Sequence, residues 1–523
     1  CDLQDFTFSP DLSQPLFLYL FCDCISCFYG GVFMSDNFND LLLILNLPTD
    51  GSILISKVEV HEDTKFIHIS TSPSPVFCPN CGCRMHSKGM YARTVNHPVL
   101  QDSFKLVLVV HQRKWKCTSC TTYLNESLPF LQPYRQSTTL TPLLILEALK
   151  DLNRSTASIA RQFFVSDTHV HDIFTAYVDL PRLPLPEVMS IDEVFLDISS
   201  KEKYALVIMD FVSGEIVDIL PSRWSSVTDN YFYHIPLEER KKVKFIVSDA
   251  YRYYLDYPKT YFPNAVSILD SFHVVKYLIS LLNTYVNDVM KRYKERDKKK
   301  LEKKNHDLNR DDSSIADSNE VILLRSYRWV LLKNYDHINH SAKIHYHSKL
   351  KLHLDTFQIE NMFLALDPNF FELRRLKELY VEFNQSSFHS DDEVHSALMA
   401  LIQVYKASNL TPFKKFADYL KKYQGPILRS FVTSTVTRKQ SQDHNELITR
   451  LSNGPMESFN RKPKDLKRNA RGFSNFHYTR NRILWATRKR PAIRVVPKSN
   501  AMIHSFEGKP RGPYNKNKEH NNN

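Results

Sequence analysis

The chain has 523 residues, more than one hydrophobic core can serve, so several domains are expected. Hydrophobic residues make up 42% and charged residues 24%, the balance of a globular chain with ample apolar surface to bury. A net charge of +12 and a pI near 9.0 favour a polyanionic partner and disfavour a purely structural role.

Leu16–Phe33 is apolar enough to suggest a signal or membrane segment, but it lacks a basic leading stretch and carries Asp23. Residues 1–33 are therefore expected to be upstream sequence translated in frame, with Met34 an ordinary start. No other stretch is long and apolar enough to span a bilayer, so the expectation is a cytoplasmic chain with no membrane partner. Four of the nine cysteines, Cys1, Cys22, Cys24 and Cys27, fall in that leader.

The other five form a pattern. Cys78 and Cys81 make one C-x-x-C knuckle, Cys117 and Cys120 a second, and Cys83 is a spare thiol. Two knuckles present two thiolates each, which suits one tetrahedral, structural zinc ion. Disulfide pairing is the alternative and is disfavoured in an intracellular chain. Residues 104–110, FKLVLVV, make a strand, and the basic aromatic stretch HQRKWKC that follows brings charge to the metal site. The zinc-binding region is placed at 34–128.

A proline-bearing linker leads into a helical region near Leu143, and 129–185 is assigned to a helix-turn-helix. Ile159, Ala160 and Phe163 would pack its first helix, and Val170, Ile173 and Phe174 its second. Arg161, Thr168, His169 and His171 are then the candidate DNA contacts. Phe164 stands where a turn glycine is usual, and the exposed face of the second helix has no Arg or Lys. A three-helix packing unit without DNA contact is the alternative.

Residues 186–198 form a strand with Asp192 near its centre, and 203–211 with 214–221 read as a hairpin. Two short apolar runs follow, KFIVSD and AVSILD, joined by a segment that fits a crossover helix; each ends on an aspartate, Asp249 and Asp270. Such strands read as buried and parallel, and their carboxyl ends are where ligands sit in open α/β sheets. An aspartate there either holds a cation or caps the next helix. Three antiparallel strands, then helix, strand, helix and strand, is the order of the ribonuclease H-like fold. Its chemistry needs acidic residues on the first strand, at the end of the fourth and on a later helix, which here are Asp192, Asp249 and Glu457. Glu193 would point to the opposite face of its strand.

The first part of this domain is assigned to 186–285. From 286 to 445 amphipathic runs predict an α-helical insertion, with KRYKERDKKKLEKK a solvated face and 305–319 a flexible loop. Residues 446–490 then return the helix that carries Glu457, capped by Asn453, with Pro455 in its first turn and Gly472 at its end. Asn460, Arg461, Lys464, Lys467, Arg468 and Arg471 would line a basic face for DNA phosphates. Pro463 is expected to kink this helix or to mark a decayed copy. Residues 491–523 are expected to be a disordered basic tail.

The segments SIDE at 190–193, VSDAYRYY at 247–254, FPNAVSILDSFHVVK at 262–276 and SNGPMESFNRKPKDLKRNARGFSNFHYTRNRIL at 452–484 together resemble the ISL3 family of insertion-sequence transposases, DDE enzymes. The resemblance covers about 34–490. It implies a multidomain α/β chain: an N-terminal zinc finger and helix-turn-helix, then a ribonuclease H-like catalytic domain interrupted by a helical insertion. It implies the second catalytic carboxylate in the VSD motif, Asp249, in preference to Asp270, and it sets Asp270 with His273 in a D-x-x-H pattern. Function is then metal-dependent DNA cleavage and strand transfer, with two Mg2+ (or Mn2+) ions at the carboxylates. The implied partners are double-stranded DNA, namely the element's terminal inverted repeats and target DNA, and a second copy in a homodimer. The competing expectation is a catalytically decayed or regulatory DNA-binding protein.

Overall fold

The computed structural model describes residues 37–98, 104–132, 135–197, 203–308, 317–436, 447–470 and 475–504. The chain divides into two units: Cys1–Leu146 with Ala160–Ser166, and Glu147–Ile159 with Asp167–Asn523.

In the first unit, helix α1 (Asn37–Ile44) precedes strands β1 (Ile53–His61), β2 (Thr64–Thr71), β3 (His86–His97), β4 (Lys105–Lys116) and β5 (Tyr123–Asn125). The sheet runs β1-β2-β4-β3, with β5 beside β4 and only β2/β4 parallel. Alternation along β4 sends Leu106, Leu108 and Val110 into a core with Ile67, Ile69 and Val95. Gly89, at φ +115°, sits where β3 bulges against β4.

Helices α2 (Leu140–Ala148), α3 (Thr156–Gln162) and α4 (Asp167–Tyr177) follow. Phe164, between the last two, takes φ +52°, the conformation a turn glycine would adopt more cheaply.

The second unit holds the sheet that positions the site. Its strands are β6 (Val188–Phe195), β7 (Tyr204–Asp210), β8 (Ile216–Leu220), β9 (Phe245–Ser248) and β10 (Val266–Leu269), in the order β10-β9-β6-β7-β8. The hairpin side is antiparallel, whereas β6/β9 and β9/β10 are parallel. Short helices α5 (Ser225–Tyr233), α6 (Leu237–Arg240) and α7 (Arg252–Thr260) lie between β8 and β10. One face packs Met189, Ile191 and Ile246 on Phe232, Tyr254, Tyr257 and Phe262; the other carries Val188, Val247 and Ile268.

From β10 the chain passes directly into the long helix α8 (Ser271–Leu308), so a domain boundary at 285/286 falls inside a helix. Helices α9 (Asn319–Ser326) and α10 (Trp329–Leu332), the hairpin β11 (His345–His347) and β12 (Leu352–Leu354), then α11 (Thr356–Leu364), α12 (Phe370–Gln385), α13 (Asp391–Ala407), α14 (Thr411–Lys422) and α15 (Gln424–Arg429) complete the insertion. Val274, Leu278, Leu282, Val286 and Val289 of α8, a stripe at helical spacing, pack with Phe363, Leu373, Leu398 and Phe413 in one core.

The hairpin β13 (Thr433–Val436) and β14 (Leu447–Arg450) returns the chain to α16 (Gly454–Ala470), which contacts β6, and α17 (Phe476–Thr487), which contacts β8. The segment expected to be disordered from 491 is in place as far as His504. The Arg494 and Lys498 amides donate to the Tyr177 and Ala176 carbonyls at 2.8 and 3.0 Å, and α18 (Asn500–Ile503) packs on α4.

Candidate active site

Strand register builds the site. Ser190 pairs with Val247 and Val247 with Ile268, across β6, β9 and β10. Two residues further along each strand, with side chains returning to the same face, stand Asp192, Asp249 and Asp270. The Asp270 amide still donates to the Ser248 carbonyl at 3.0 Å, so the strands remain paired at that level.

Helix α16 covers this face. It buries Met456, Phe459, Asn460, Pro463 and Leu466, an i, i+3, i+4, i+7, i+10 stripe. Two asparagines fix its position. Asn453 donates its backbone N–H to Asp270 Oδ1 at 3.2 Å and its side-chain amide to the Ile191 carbonyl at 3.0 Å. Asn460 donates to Asp192 Oδ2 at 2.8 Å. Glu457 lies between them, one turn from each, and its carboxylate, the Asp270 carboxylate and the His273 ring offer atoms that all lie within 4.8 Å of one another. Asp192 and Asp249 stand outside that tight group, and the charge of Asp249 acts on both Asp192 and Asp270.

Two expected placements change. Asn453 does not cap α16 with its side chain: its Oδ1 makes no hydrogen bond, because the amide is turned to the strand carbonyl. Asn460 is not on the basic face but 5% exposed against Asp192. The signal for it was present, since it shares the apolar stripe of Phe459 and Pro463. Pro463 itself is buried, and the helix continues through it to Ala470.

Electrostatics set the carboxylates apart from ordinary surface groups. Burial first, then the charge of Asp249, pushes the Asp192 carboxyl up to about 6. Burial likewise raises Asp249 and Asp270. Asp249 Oδ1 also accepts from the Tyr251 N–H at 2.9 Å, a turn-forming bond that leaves its second oxygen available. Asp270 Oδ2 and Asn460 Oδ1 are buried acceptors with no hydrogen-bond partner, an arrangement that fits oxygens awaiting a cation. Glu193, on the other face, is taken up by Arg223 and by the Tyr254 hydroxyl, each at 2.7 Å.

A second cluster lies in the first unit. The sulfurs of Cys78, Cys81, Cys117 and Cys120 approach within 4.8 Å of one another and could hold a metal ion; Cys83 is exposed and outside the group. Cys78–Cys120 and Cys81–Cys117 are 3.4 and 3.5 Å apart. The first knuckle is closed by Gly82, at φ +70°, whose amide donates to the Cys78 carbonyl. The second is closed by the Cys117 amide donating to Thr122.

The candidate DNA contacts are scattered in character. Arg161 and Thr168 are exposed, and His169 is half-buried. His171 stacks on Tyr478, with ring centroids 4.3 Å apart, and its neighbour Asp172 is 3.2 Å from His504. On α16, Arg461 and Lys464 are exposed, as is Lys462, which also belongs to this cationic face. Arg468 pairs with Asp465, and Lys467 lies 3.9 Å over the Phe195 ring. Arg471 and Gly472 fall outside the described residues.

A family model of ISL3 DDE enzymes, described as "Transposase", matches residues 189–438 and 432–483, more than half of the chain. The chain belongs to this family of transposases. It is also similar to the transposase for insertion sequence element IS1001 of Bordetella parapertussis, 23% identical over 300 residues that cover 55% of this chain and 67% of that protein. Among the described residues no helix is long and apolar enough to cross a membrane.

Proposed function

We propose that this chain cleaves DNA strands at the ends of an insertion sequence and joins them to target DNA by metal-dependent phosphoryl transfer. The observation that carries this reading is the in-register row Asp192, Asp249 and Asp270, with Glu457 delivered against it by a helix tied down at Asn453 and Asn460. The strand order β10-β9-β6-β7-β8 supports a ribonuclease H-like catalytic domain.

Asp192, Asp249 and Glu457 are the catalytic carboxylates of this reading, with Asp270 and His273 beside them as further ligands. Two Mg2+ or Mn2+ ions bound there would polarise the scissile phosphate and acidify the attacking water or hydroxyl. Asn460 holds Asp192 in one orientation, and the raised carboxyl groups must ionise to bind a cation, so cleavage declines as pH falls below about 6.

The four cysteines hold a structural zinc, since sulfurs ~2.3 Å from a tetrahedral ion lie about 3.8 Å apart, close to the spacing here. Exposed Arg461 and Lys464 contact phosphates of double-stranded DNA, and α3 and α4 act as a helix-turn-helix on the terminal repeats. The protein works in the cytoplasm as a homodimer on DNA. The decayed-copy reading draws no support from Pro463, because α16 runs through it. Incubation of the purified chain with linear DNA bearing the element's own ends tests the proposal. Mg2+-dependent nicking at those ends is expected, and its absence across Mg2+ and Mn2+ would sink the reading.

A further inference from the structure

The hairpin β11–β12 in the helical insertion has no part in the site described above. Residues 337–354 contain three lysines and five histidines and no carboxylate. Apolar and aromatic side chains stand out of it: Ile344 and Tyr346 are each 58% exposed and Leu352 37%. A loop whose only task was solvation would not present them.

The hairpin is also anchored to the helical core. Leu350, in its turn, is 3% exposed and belongs to the core that α8 and its neighbours build. His347 Nδ1 lies 3.0 Å from the Tyr327 hydroxyl, and Lys349 Nζ donates to Ser326 Oγ at 3.2 Å. Lys351 takes φ +55°, closing the turn with its amide on the His347 carbonyl at 2.8 Å. Tyr346 and His353 face each other across the ladder, ring centroids 4.9 Å apart, both exposed. Lys343 and Lys351, at its base and turn, are exposed and have no ion-pair partner among the described residues.

We propose that this hairpin is a second DNA contact of the protein, in which Lys343 and Lys351 hold backbone phosphates and Tyr346, braced by His353, stacks on an unpaired base. The inference rests on the transposase reading for its partner, and charge argues for the same one: a cationic ribbon without carboxylates repels basic surfaces and attracts a polyanion. An exposed ring braced from one side, on a hairpin whose base and turn carry exposed lysines, matches what a base and its phosphate require. A hairpin anchored in this way presents that ring at little further ordering cost.

The test uses the full chain and two probes: a short blunt duplex, and the same duplex with a single-stranded thymidine tail. Binding is followed by fluorescence anisotropy across a salt series. Lys343→Gln with Lys351→Gln is expected to weaken binding to the tailed probe and to lower the slope of log affinity against log salt by about 0.7–0.9 per lysine removed. Tyr346→Ala is expected to weaken the tailed probe at least about fivefold while changing the blunt duplex less, and Tyr346→Phe to restore it. An unchanged slope in the lysine pair, or equal affinity of Tyr346→Ala for the tailed probe, would overturn the proposal. So would a change of oligomeric state in place of DNA affinity. Wild-type protein that binds and nicks DNA while the hairpin variants behave identically refutes this inference alone; wild-type protein that binds neither probe refutes the proposed function with it.

Discussion

The cysteine cluster and the carboxylate cluster are both candidate metal centres, but they are assembled by different physics. The cysteines sit at the ends of strands that pair with each other: β3 begins just after the first knuckle, β4 ends just before the second, and His86 lies opposite Lys116. Once that ladder forms, the two knuckles meet without further help. The carboxylates need a parallel sheet to bring three strands into register, and then a helix returned after the whole α8–α15 excursion. The first centre is a local product of spacing; the second exists only when the second unit is folded.

The comparison is broken most forcefully by removing metal from the first centre. A structural zinc contributes on the order of 10 kcal/mol to the fold that holds it, so a strong chelator or Cys117→Ser should melt the first unit. Circular dichroism and a zinc-release assay would follow this. A sheet that remains folded after complete zinc loss contradicts the structural role.

The second centre should behave in the opposite way, because crowding unsatisfied carboxylates stresses the fold that carries them. Between pH 3.8 and about 6 the folded chain keeps a proton on Asp192 that the unfolded chain has released, so stability declines as pH rises through that window. Above it, Asp192→Asn should stabilise the metal-free protein by about 1–3 kcal/mol while abolishing cleavage. Denaturant melts at pH 5 and pH 7.5 measure this; a variant less stable than wild type at the higher pH would contradict it.

Asn460→Ala sharpens the contrast further. It removes a hydrogen bond to a buried carboxylate and should lower cleavage about 10- to 100-fold with DNA affinity unchanged. A Km shift without a kcat loss would show that Asn460 orients substrate instead. Smallest is the effect expected of Arg461→Gln and Lys464→Gln: each should reduce the salt dependence of duplex binding by about 0.9 and leave metal binding alone. An unchanged slope would remove α16 from the DNA surface.

How far each centre was legible in the sequence follows from the same difference. C-x-x-C spacing announces the cysteines directly; two apolar runs ending in aspartate announce Asp249 and Asp270, and the fold order they fit points to Asp192 within the first strand. What spacing does not carry is which of these carboxylates Glu457 meets. That depends on how α16 docks, through the Asn453 amide to Asp270 and the Asn460 amide to Asp192. The cationic neighbours of Asn460 point to the basic face, whereas its place in the apolar stripe points inward, where it is buried. The sheet of the first unit was legible only at β4, whose apolar run is unbroken; β1 and β2 carry polar and charged residues among their apolar ones and hid their period.

Cleavage of end-bearing DNA by four single variants, Asp192→Asn, Asp249→Asn, Asp270→Asn and Glu457→Gln, tests the central claim most directly. With Mg2+ at pH 7.5 or so, the account predicts that Asp192→Asn, Asp249→Asn and Glu457→Gln each lose about a thousandfold or more in rate, that Asp270→Asn is also severely impaired, and that all four bind DNA like wild type. Wild-type rates from Asp192→Asn or Glu457→Gln would contradict it.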